Sequence, residues 1–171
     1  MEPTTVEMLK IELDRHEWGS LGGMGGTAEH GPESILRLTA GETEDEVWAA
    51  YWELENYVVV QGQLFEASVY VVPALLTALL GDLSRPARQA VLELLFQIVS
   101  GESDMEEVGR GNGDLGTRCR QQAQEGIWIL YRELCSGAYD TARDILEIVD
   151  QGKDRLSVFI DACSRGGQKK R

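Results

Sequence analysis

The segment GNGDLG, residues 111–116, matches the dinucleotide-binding pattern G-x-G-x-x-G at all three of its glycines. In that pattern a glycine turn between a strand and a helix approaches a pyrophosphate, and an acidic residue about 20 positions later contacts the ribose. Glu133 stands at about this distance, but it falls within a predicted helix, and the acidic stretch ESDMEEVGR precedes the motif where a strand is required. We therefore expect a flexible connector that leads into a helix near Asp114 or Leu115, and no cofactor.

A second glycine-rich stretch, GSLGGMGGTAEHGP at residues 19–32, has some features of a phosphate-binding loop. Such a loop aims backbone N–H groups at the anion and places a cation nearby. No lysine lies in the stretch, and its ionisable neighbours are acidic residues and His30. We expect a connecting loop here and no nucleotide.

A pair of carboxylates could support acid–base hydrolysis, and Glu53 and Glu66 flank the stretch NYVVVQGQLF. A structural role explains them better: Glu66 would accept hydrogen bonds from the buried backbone of a turn at residues 61–62, and Glu53 would be solvated. Only two histidines, His16 and His30, are available for a zinc site or a Ser-His-Asp triad. We expect no enzymatic activity, no catalytic residue and no metal site.

Two acidic segments are the candidate contacts with a partner. GETEDE at 41–46 lies at a predicted turn between helices, and GESDMEEVGRGNGD at 101–114 is a predicted loop of 14 residues. Loops of this length are uncommon in compact domains and are often functional, although a solvated insertion would have the same composition. Tyr70 would add an aromatic anchor if exposed. The candidate contact residues are Glu42, Glu44, Asp45, Glu46, Glu102, Asp104, Glu106, Glu107, Asp114 and Tyr70.

The charge of the chain favours a basic partner. Its 171 residues include 16 lysines and arginines against 29 aspartates and glutamates, which gives a formal net charge of −13. Residues 1–60 hold 3 basic and 13 acidic side chains and so carry −10, whereas the last seven residues, RGGQKKR, are basic. Such a surface repels phosphate backbones and attracts basic proteins. We expect a protein partner and no nucleic acid, while solubility alone would also explain the acidity.

Apolar residues recur at helical spacing along most of the chain, and the pattern repeats after 41 residues. The segment PESILRL at 32–38 aligns with PALLTALL at 73–80, and the following helix keeps the register, so that residues 50–58 align with 91–99. Repeats of this length are typical of HEAT and armadillo proteins, whose helix pairs stack because one pair cannot bury its apolar face alone. A third pair is predicted at 115–136 and 139–151, and a last helix at 153–164.

Local signals refine these helices. Thr43 and Glu46 form a predicted capping box, and Ser84 followed by Pro86 predicts another helix start. Pro73 is expected to separate a short helical turn at 64–71 from the next helix. The run YVVVQ at 57–61 is β-branched, but we expect it to continue a helical stripe. Residues 115–136 are expected to form one long helix that ends near Gly137.

The cysteines and the apolar segments indicate a compartment. Cys119, Cys135 and Cys163 are odd in number and never in a C-x-x-C pair, a pattern typical of buried structural thiols in a reducing environment. MEPTTVEMLK has acid where a signal peptide has basic residues, so we expect none. The longest apolar stretch, at 69–80, is too short to span a bilayer. We expect a soluble, cytoplasmic protein with no membrane association.

Several motifs occur in order within residues 16–101. They are WGSLGG (18–23) with Ala28, PESILRL (32–38), QGQLFEAS (61–68) and VVPALLTALL (71–80). In these motifs the chain resembles a group of bacterial HEAT-like repeat proteins, whose pattern includes W-x-x-L, P-x-x-L-L, Q-G-x-x-Y/F-E-A-S/T and V-P-x-L. The chain departs from it at the glycines of 22–26 and at Val59-Val60, where a histidine is common. The resemblance implies an α-solenoid without a catalytic signature, often an antitoxin or immunity partner of a bacterial toxin.

HEAT-like DNA glycosylases combine tryptophans with a carboxylate, and this chain has Trp48 and Trp52 one helical turn apart. A DNA-repair hydrolase is nevertheless a remote alternative, because the chain lacks the basic groove that DNA requires. We expect the two tryptophans to form a core or interface stripe.

These observations predict one all-α domain at residues 1–164, a short right-handed α-solenoid of HEAT/armadillo-like helix pairs, followed by a basic flexible tail at 165–171. The predicted function is non-enzymatic. The protein would be an acidic immunity protein that neutralises a cognate bacterial toxin by covering the toxin's basic active site. The alternative is a scaffold module without an inhibitory role. The oligomeric state stays open.

Overall fold

The computed structural model describes residues 1–137 and 139–168, which are mostly helical. This confirms the all-α class. Within the described ranges the ten α-helices are α1 (Thr5–Asp14), α2 (Gly31–Ala40), α3 (Glu44–Val58), α4 (Ser68–Ala78), α5 (Arg85–Ser100), α6 (Met105–Gly109), α7 (Leu115–Glu125), α8 (Ile127–Ser136), α9 (Tyr139–Val149) and α10 (Lys153–Gln168). None of these helices is both long enough and apolar enough to cross a membrane.

Very short strands lie within the connections between helices and pair with one another. In the described chain they are β1 (Gly22–Gly23), β2 (Gly26–Thr27), β3 (Val59–Val60), β4 (Gln63–Leu64) and β5 (Glu102–Ser103). β1 pairs with β2, and β3 with β4, in antiparallel fashion, whereas β4 and β5 are parallel. The Met24 N–H donates to the Tyr57 carbonyl at 2.9 Å, and the Ala67 N–H to the Gly22 carbonyl at 2.9 Å. Connections far apart in sequence therefore hydrogen-bond to one another.

Helices that lie apart in the sequence pack against one another. α2 packs against α3, α4 against α5, and α7 against α9, while α4 also contacts α2 and α7, and α5 also contacts α3 and α9. Ile35 and Leu76, which the repeat aligns, are both buried, and so are Leu54 and Leu95. Positions that match in the sequence thus contribute to one continuous core.

The predicted caps of α3 and α5 are confirmed. The Thr43 side chain accepts from the Glu46 N–H, and the Glu46 carboxylate accepts from the Thr43 N–H, each at 3.3 Å. The Ser84 hydroxyl accepts from the Ala87 N–H at 3.2 Å, with Pro86 in the first turn of α5. These side chains satisfy N–H groups that have no partner within the helix.

The prediction that residues 57–61 continue a helix is wrong beyond Val58. Val59 and Val60 form β3 and pair with Leu64 and Gln63 of β4. Residues 61 and 62 adopt left-handed backbone conformations, with φ of 52° and 80°. Two positive φ values in succession favour a tight hairpin whose twist matches its strands, so the turn ends the helical stripe.

The expected break before Pro73 is also wrong, because Pro73 lies inside α4. The expected turn at 64–71 is instead the end of β4 followed by the beginning of α4, which starts at Ser68. A proline removes one helical hydrogen bond. Val72 and Ala74, which flank it, are fully buried, and burial of apolar side chains stabilises a helix by as much as one hydrogen bond or more.

The long helix expected at 115–136 is two helices, α7 and α8, which meet at Gly126. A Cβ atom at this position would lie 2.7 Å from Cδ1 of Leu76 in α4. Glycine at this break therefore lets the backbone approach α4 closely. The spacing of apolar residues along the sequence does not reveal such an approach.

The last predicted helix is confirmed as α10, which continues beyond residue 164 to Gln168. Residues 165–168, expected in the basic flexible tail, therefore lie in this helix. The rest of the predicted tail, residues 169–171, lies outside the described residues.

Candidate functional site

The first acidic segment forms the turn between α2 and α3. Glu42, Glu44 and Asp45 are exposed. The Glu46 carboxylate accepts from the backbone N–H groups of Glu42 and Thr43, which lower its pKa below the ordinary value. Three of the four predicted contact residues are therefore available to a partner, and Glu46 is committed to the helix cap.

The second acidic segment is not the loop that the sequence predicts. Residues 102–103 form β5, and α6 follows directly. The Glu102 N–H donates to the Gly62 carbonyl and the Asp104 N–H to the Leu64 carbonyl, each at 3.0 Å. The connection that follows α5 lies beside the connection that follows α3. Backbone pairing between their strands, β5 and β4, therefore orders this acidic segment.

Glu107 is a correction to the predicted contact set, because its side chain is only 1% exposed. Its Oε1 accepts from the Glu66 N–H at 3.3 Å, and its Oε2 accepts from the Asn112 side-chain amide at 2.8 Å. The Arg110 guanidinium lies 3.6 Å from Oε1. A carboxylate used in this way stabilises the fold and is not available to a partner.

The two carboxylates weighed as a hydrolytic pair have separate structural contacts. Glu66 does not satisfy the turn at 61–62; its Oε2 accepts from the Gly22 N–H at 2.9 Å instead. Glu53 forms an ion pair with Arg37 and is half-exposed. The structure therefore gives Glu66 a backbone-capping role, as expected, but toward a different connection.

The remaining residues of the second segment are more exposed. Glu102 forms an ion pair with Arg120 at 3.0 Å, and Glu106 lies 3.7 Å from Arg110. Asp104 caps α6 through the Glu106 N–H at 2.8 Å. Asp114 is exposed at the start of α7.

The two acidic segments lie at opposite ends of α3. The first leads into Glu44, where α3 begins, whereas the second pairs with the hairpin that follows Val58, where α3 ends. The 15 residues of α3 correspond to about 22 Å at 1.5 Å per residue. The structure therefore does not bring the predicted contact residues together into one site.

Tyr70 is half-buried and lines a cleft of about 420 Å³ between α1, α4 and α7. Its ring packs edge-on against the His16 ring, with centroids 4.9 Å apart. The His16 Nε2 lies 3.2 Å from Glu12, which also pairs with Arg15 at 2.8 Å. Tyr70 is thus one wall of a polar cleft and not a free aromatic anchor.

The GNGDLG segment has structural roles. Gly111 adopts a φ of 91°, which favours glycine. A Cβ atom at Gly116 would lie 2.7 Å from the Gly101 carbonyl, so this glycine permits close packing. α7 begins within the motif, at Leu115, as expected, and α6 precedes the motif. The arrangement of strand, turn and helix that a dinucleotide requires is absent from this described segment.

A different surface joins aromatic and acidic side chains. We define the α3–α5 face as Trp48, Tyr51, Trp52 and Glu55 of α3 together with Glu93 of α5. Tyr51 packs edge-on against both tryptophans, with ring centroids 4.8 Å and 5.2 Å away. The Trp52 side chain is 54% exposed, so the predicted tryptophan stripe contributes a large aromatic group to the surface.

The two carboxylates of the α3–α5 face lack a cation. Within the described chain, no lysine or arginine forms an ion pair with Glu55 or Glu93. Burial and the charge of Glu93 raise the pKa of Glu55 above its ordinary value. Burial and both carboxylates also raise the pKa of the Tyr51 hydroxyl. Glu93 accepts a hydrogen bond from the Gln97 side-chain amide at 3.0 Å, but among the described residues no basic side chain neutralises the charge of this face.

The tryptophans stand out in the sequence, but Glu55 and Glu93 do not. The chain has 29 acidic side chains, and acidity alone does not distinguish these two from the others. The repeat contained the signal, since a shift of 41 residues aligns Trp52 with Glu93. Side chains at matched positions of neighbouring helices share a surface when those helices pack together, as α3 and α5 do.

No group of three histidine, cysteine, aspartate or glutamate side chains in the described residues is placed to hold a metal ion. The comparisons with known proteins find no match among protein-family models, curated proteins or solved structures.

Proposed function

We propose that the protein is a non-enzymatic α-solenoid that binds a basic protein partner through the α3–α5 face. The preferred partner is a cognate bacterial toxin, whose basic active site the acidic chain would cover. The net charge of −13, the repeat and the resemblance of residues 16–101 to bacterial HEAT-like proteins support this proposal. Electrostatic attraction between an acidic inhibitor and a basic enzyme also accelerates their association.

The contacts between successive units support a solenoid. α4 lies between α2 and α7, and α5 lies between α3 and α9, as expected for stacked helix pairs. The connections repeat one contact: Glu66 accepts from the Gly22 N–H, and Glu107 accepts from the Glu66 N–H. Each glutamate therefore links its own unit to the preceding one.

The observation that carries the functional proposal is the exposed Trp52, packed on Tyr51, together with Glu55 and Glu93, two carboxylates near Tyr51 that form no ion pair. Exposed tryptophans are enriched among residues that dominate binding energy, and cations are attracted to the indole face. An arginine or lysine of a partner would neutralise the carboxylates and cover Trp52. One basic side chain thus satisfies both features.

Co-purification with the products of the neighbouring genes tests the proposal. We expect a stable complex, and its loss in the double variant Glu55→Gln/Glu93→Gln. A matched control neutralises the first acidic segment by Glu42→Gln/Glu44→Gln and leaves the Glu46 cap intact. A complex that survives the first variant and is lost in the control would contradict the proposed face. The absence of a complex with any neighbouring basic protein would contradict the function.

An inhibition assay separates the toxin inhibitor from the scaffold alternative. A neutralising protein abolishes the activity of its partner at equimolar concentration. A scaffold forms the same complex and leaves that activity intact, which would reject the inhibitory role while retaining the binding face.

A further inference from the structure

Two of the three cysteines meet between helices. Cys135 lies in the last turn of α8 and Cys163 lies in α10, and their sulfur atoms are 2.7 Å apart. Cys135 is exposed and Cys163 is half-buried, whereas only Cys119 is buried. The expectation of buried structural thiols is therefore wrong for this pair, because a spacing of 28 residues gives no sign that α10 returns to the end of α8.

The pair lies at one end of the contact between α8 and α10. Nearer the start of α10, Arg155 binds Asp150 through two hydrogen bonds of 2.6 Å and 3.1 Å, and its guanidinium lies 5.1 Å from the Trp128 ring centroid. Cys163 follows Arg155 by eight residues, or about 12 Å along the helix. A covalent bond at the cysteines would thus attach α10 at a second, distant point.

We propose that Cys135 and Cys163 are a redox-active pair that forms a reversible disulfide by exchange with low-molecular-weight disulfides of the glutathione type. One cysteine thiolate attacks the disulfide and forms a mixed disulfide while releasing one glutathione thiolate. The second cysteine, as its thiolate, attacks the protein sulfur of that mixed disulfide and releases the second glutathione. The two cysteines are oxidised by two electrons, glutathione disulfide is reduced, and the two cysteine protons end on the released thiols.

The geometry favours the second step over a lasting mixed disulfide. The sulfur–sulfur bond is about 2.05 Å long, so the two sulfur atoms, already 2.7 Å apart, need only a small movement. Cys119 is an internal reference for this chemistry. It is fully buried, with its sulfur 3.6 Å from the Ser68 hydroxyl, so a disulfide in solution cannot reach it. Burial and the Cys163 thiol raise the pKa of the Cys135 thiol to about 11, so exposure and the neighbouring sulfur, not acidity, distinguish the pair from Cys119.

Intact-mass spectrometry of the full chain after incubation with oxidised glutathione tests the proposal. We expect a product lighter by two hydrogen atoms, which reduced glutathione converts back, and a peptide cross-link between Cys135 and Cys163. Cys119→Ser should leave this product unchanged. Cys135→Ser and Cys163→Ser should each stop at the addition of one glutathione. A wild-type protein that retains glutathione, or that does not react, would overturn the proposal.

Hydrogen exchange provides a readout on the folded state. The disulfide should slow amide exchange in α10, and this slowing should be absent in both Cys135→Ser and Cys163→Ser. Equal exchange in the oxidised and reduced wild-type proteins would overturn the inference that the bond attaches α10 to α8.

Discussion

The buried Glu107 carboxylate accepts a hydrogen bond from the backbone N–H of Glu66, the residue 41 positions earlier, at 3.3 Å. The same residue shift that aligns the two helix pairs thus also aligns two glutamates that connect their loops. A residue expected to contact a partner instead stabilises the junction between repeats.

Replacing Glu107 should destabilise the protein. Glu107→Ala removes the acceptor of the Glu66 N–H and of the Asn112 amide, and we expect a loss of about 2 to 3 kcal/mol in the free energy of unfolding. Urea denaturation followed by circular dichroism measures this loss. Glu106→Ala, at the exposed neighbouring position, is the control and should change stability by less than about 0.5 kcal/mol. Equal effects of the two substitutions would contradict the assigned role.

Because Gly126 packs closely against Leu76, adding a side chain at this position should destabilise the protein. In Gly126→Ala, the new methyl group would meet the Leu76 side chain, and we expect a loss of about 1 to 3 kcal/mol because overpacking forces neighbours apart. Gly113→Ala is a matched control, since the nearest atom to its Cβ would be 4.0 Å away. Thermal unfolding of both variants gives the comparison, and an unchanged Tm for Gly126→Ala would argue against this contact.

The contact between Asp150 and Arg155 should make the attachment of α10 sensitive to acid. Hydrogen bonds from Arg155, with further ones from Tyr131 and the Gly152 N–H, lower the pKa of Asp150. The carboxylate therefore stabilises the fold fully above its ordinary pKa of 3.8, and this stabilisation is lost as the pH falls below that value.

A stability series in urea between pH 3 and pH 6 measures this loss. At pH 6 the wild-type protein should be more stable than Asp150→Asn, and this difference in stability should shrink as the pH falls toward 3. A difference that is constant with pH would show that ionisation of Asp150 does not contribute.

Trp52→Ala should weaken partner binding with little effect on folding, because the indole is largely exposed. We expect a loss of about 2 kcal/mol in binding free energy, or roughly 30-fold in Kd. Isothermal titration calorimetry with the co-purified partner measures the affinity. Val158→Ala on α10, where the side chain is 64% exposed, should bind as wild type does. If both variants bound equally well, Trp52 would not be part of the interface.

The sequence by itself determined the helical class, the caps of α3 and α5 and the 41-residue repeat. Apolar periodicity and capping depend on residues only a few positions apart, so local reasoning captures them. At Val59 it missed a local hairpin, whose turn at residues 61–62 has two positive φ values. At Pro73 and Gly126 the conformation depends on packing between helices: burial around α4 and close approach to Leu76.

Only the tertiary structure decided which charged residues are exposed to a partner. Glu106 and Glu107 are adjacent and chemically identical, yet one is exposed and the other is buried beneath the preceding connection. Likewise, Glu55 and Glu93 come from different helices and share one face because α3 packs against α5. Burial and charge neutralisation depend on contacts between residues distant in the chain, and those contacts exist only once the units have packed together.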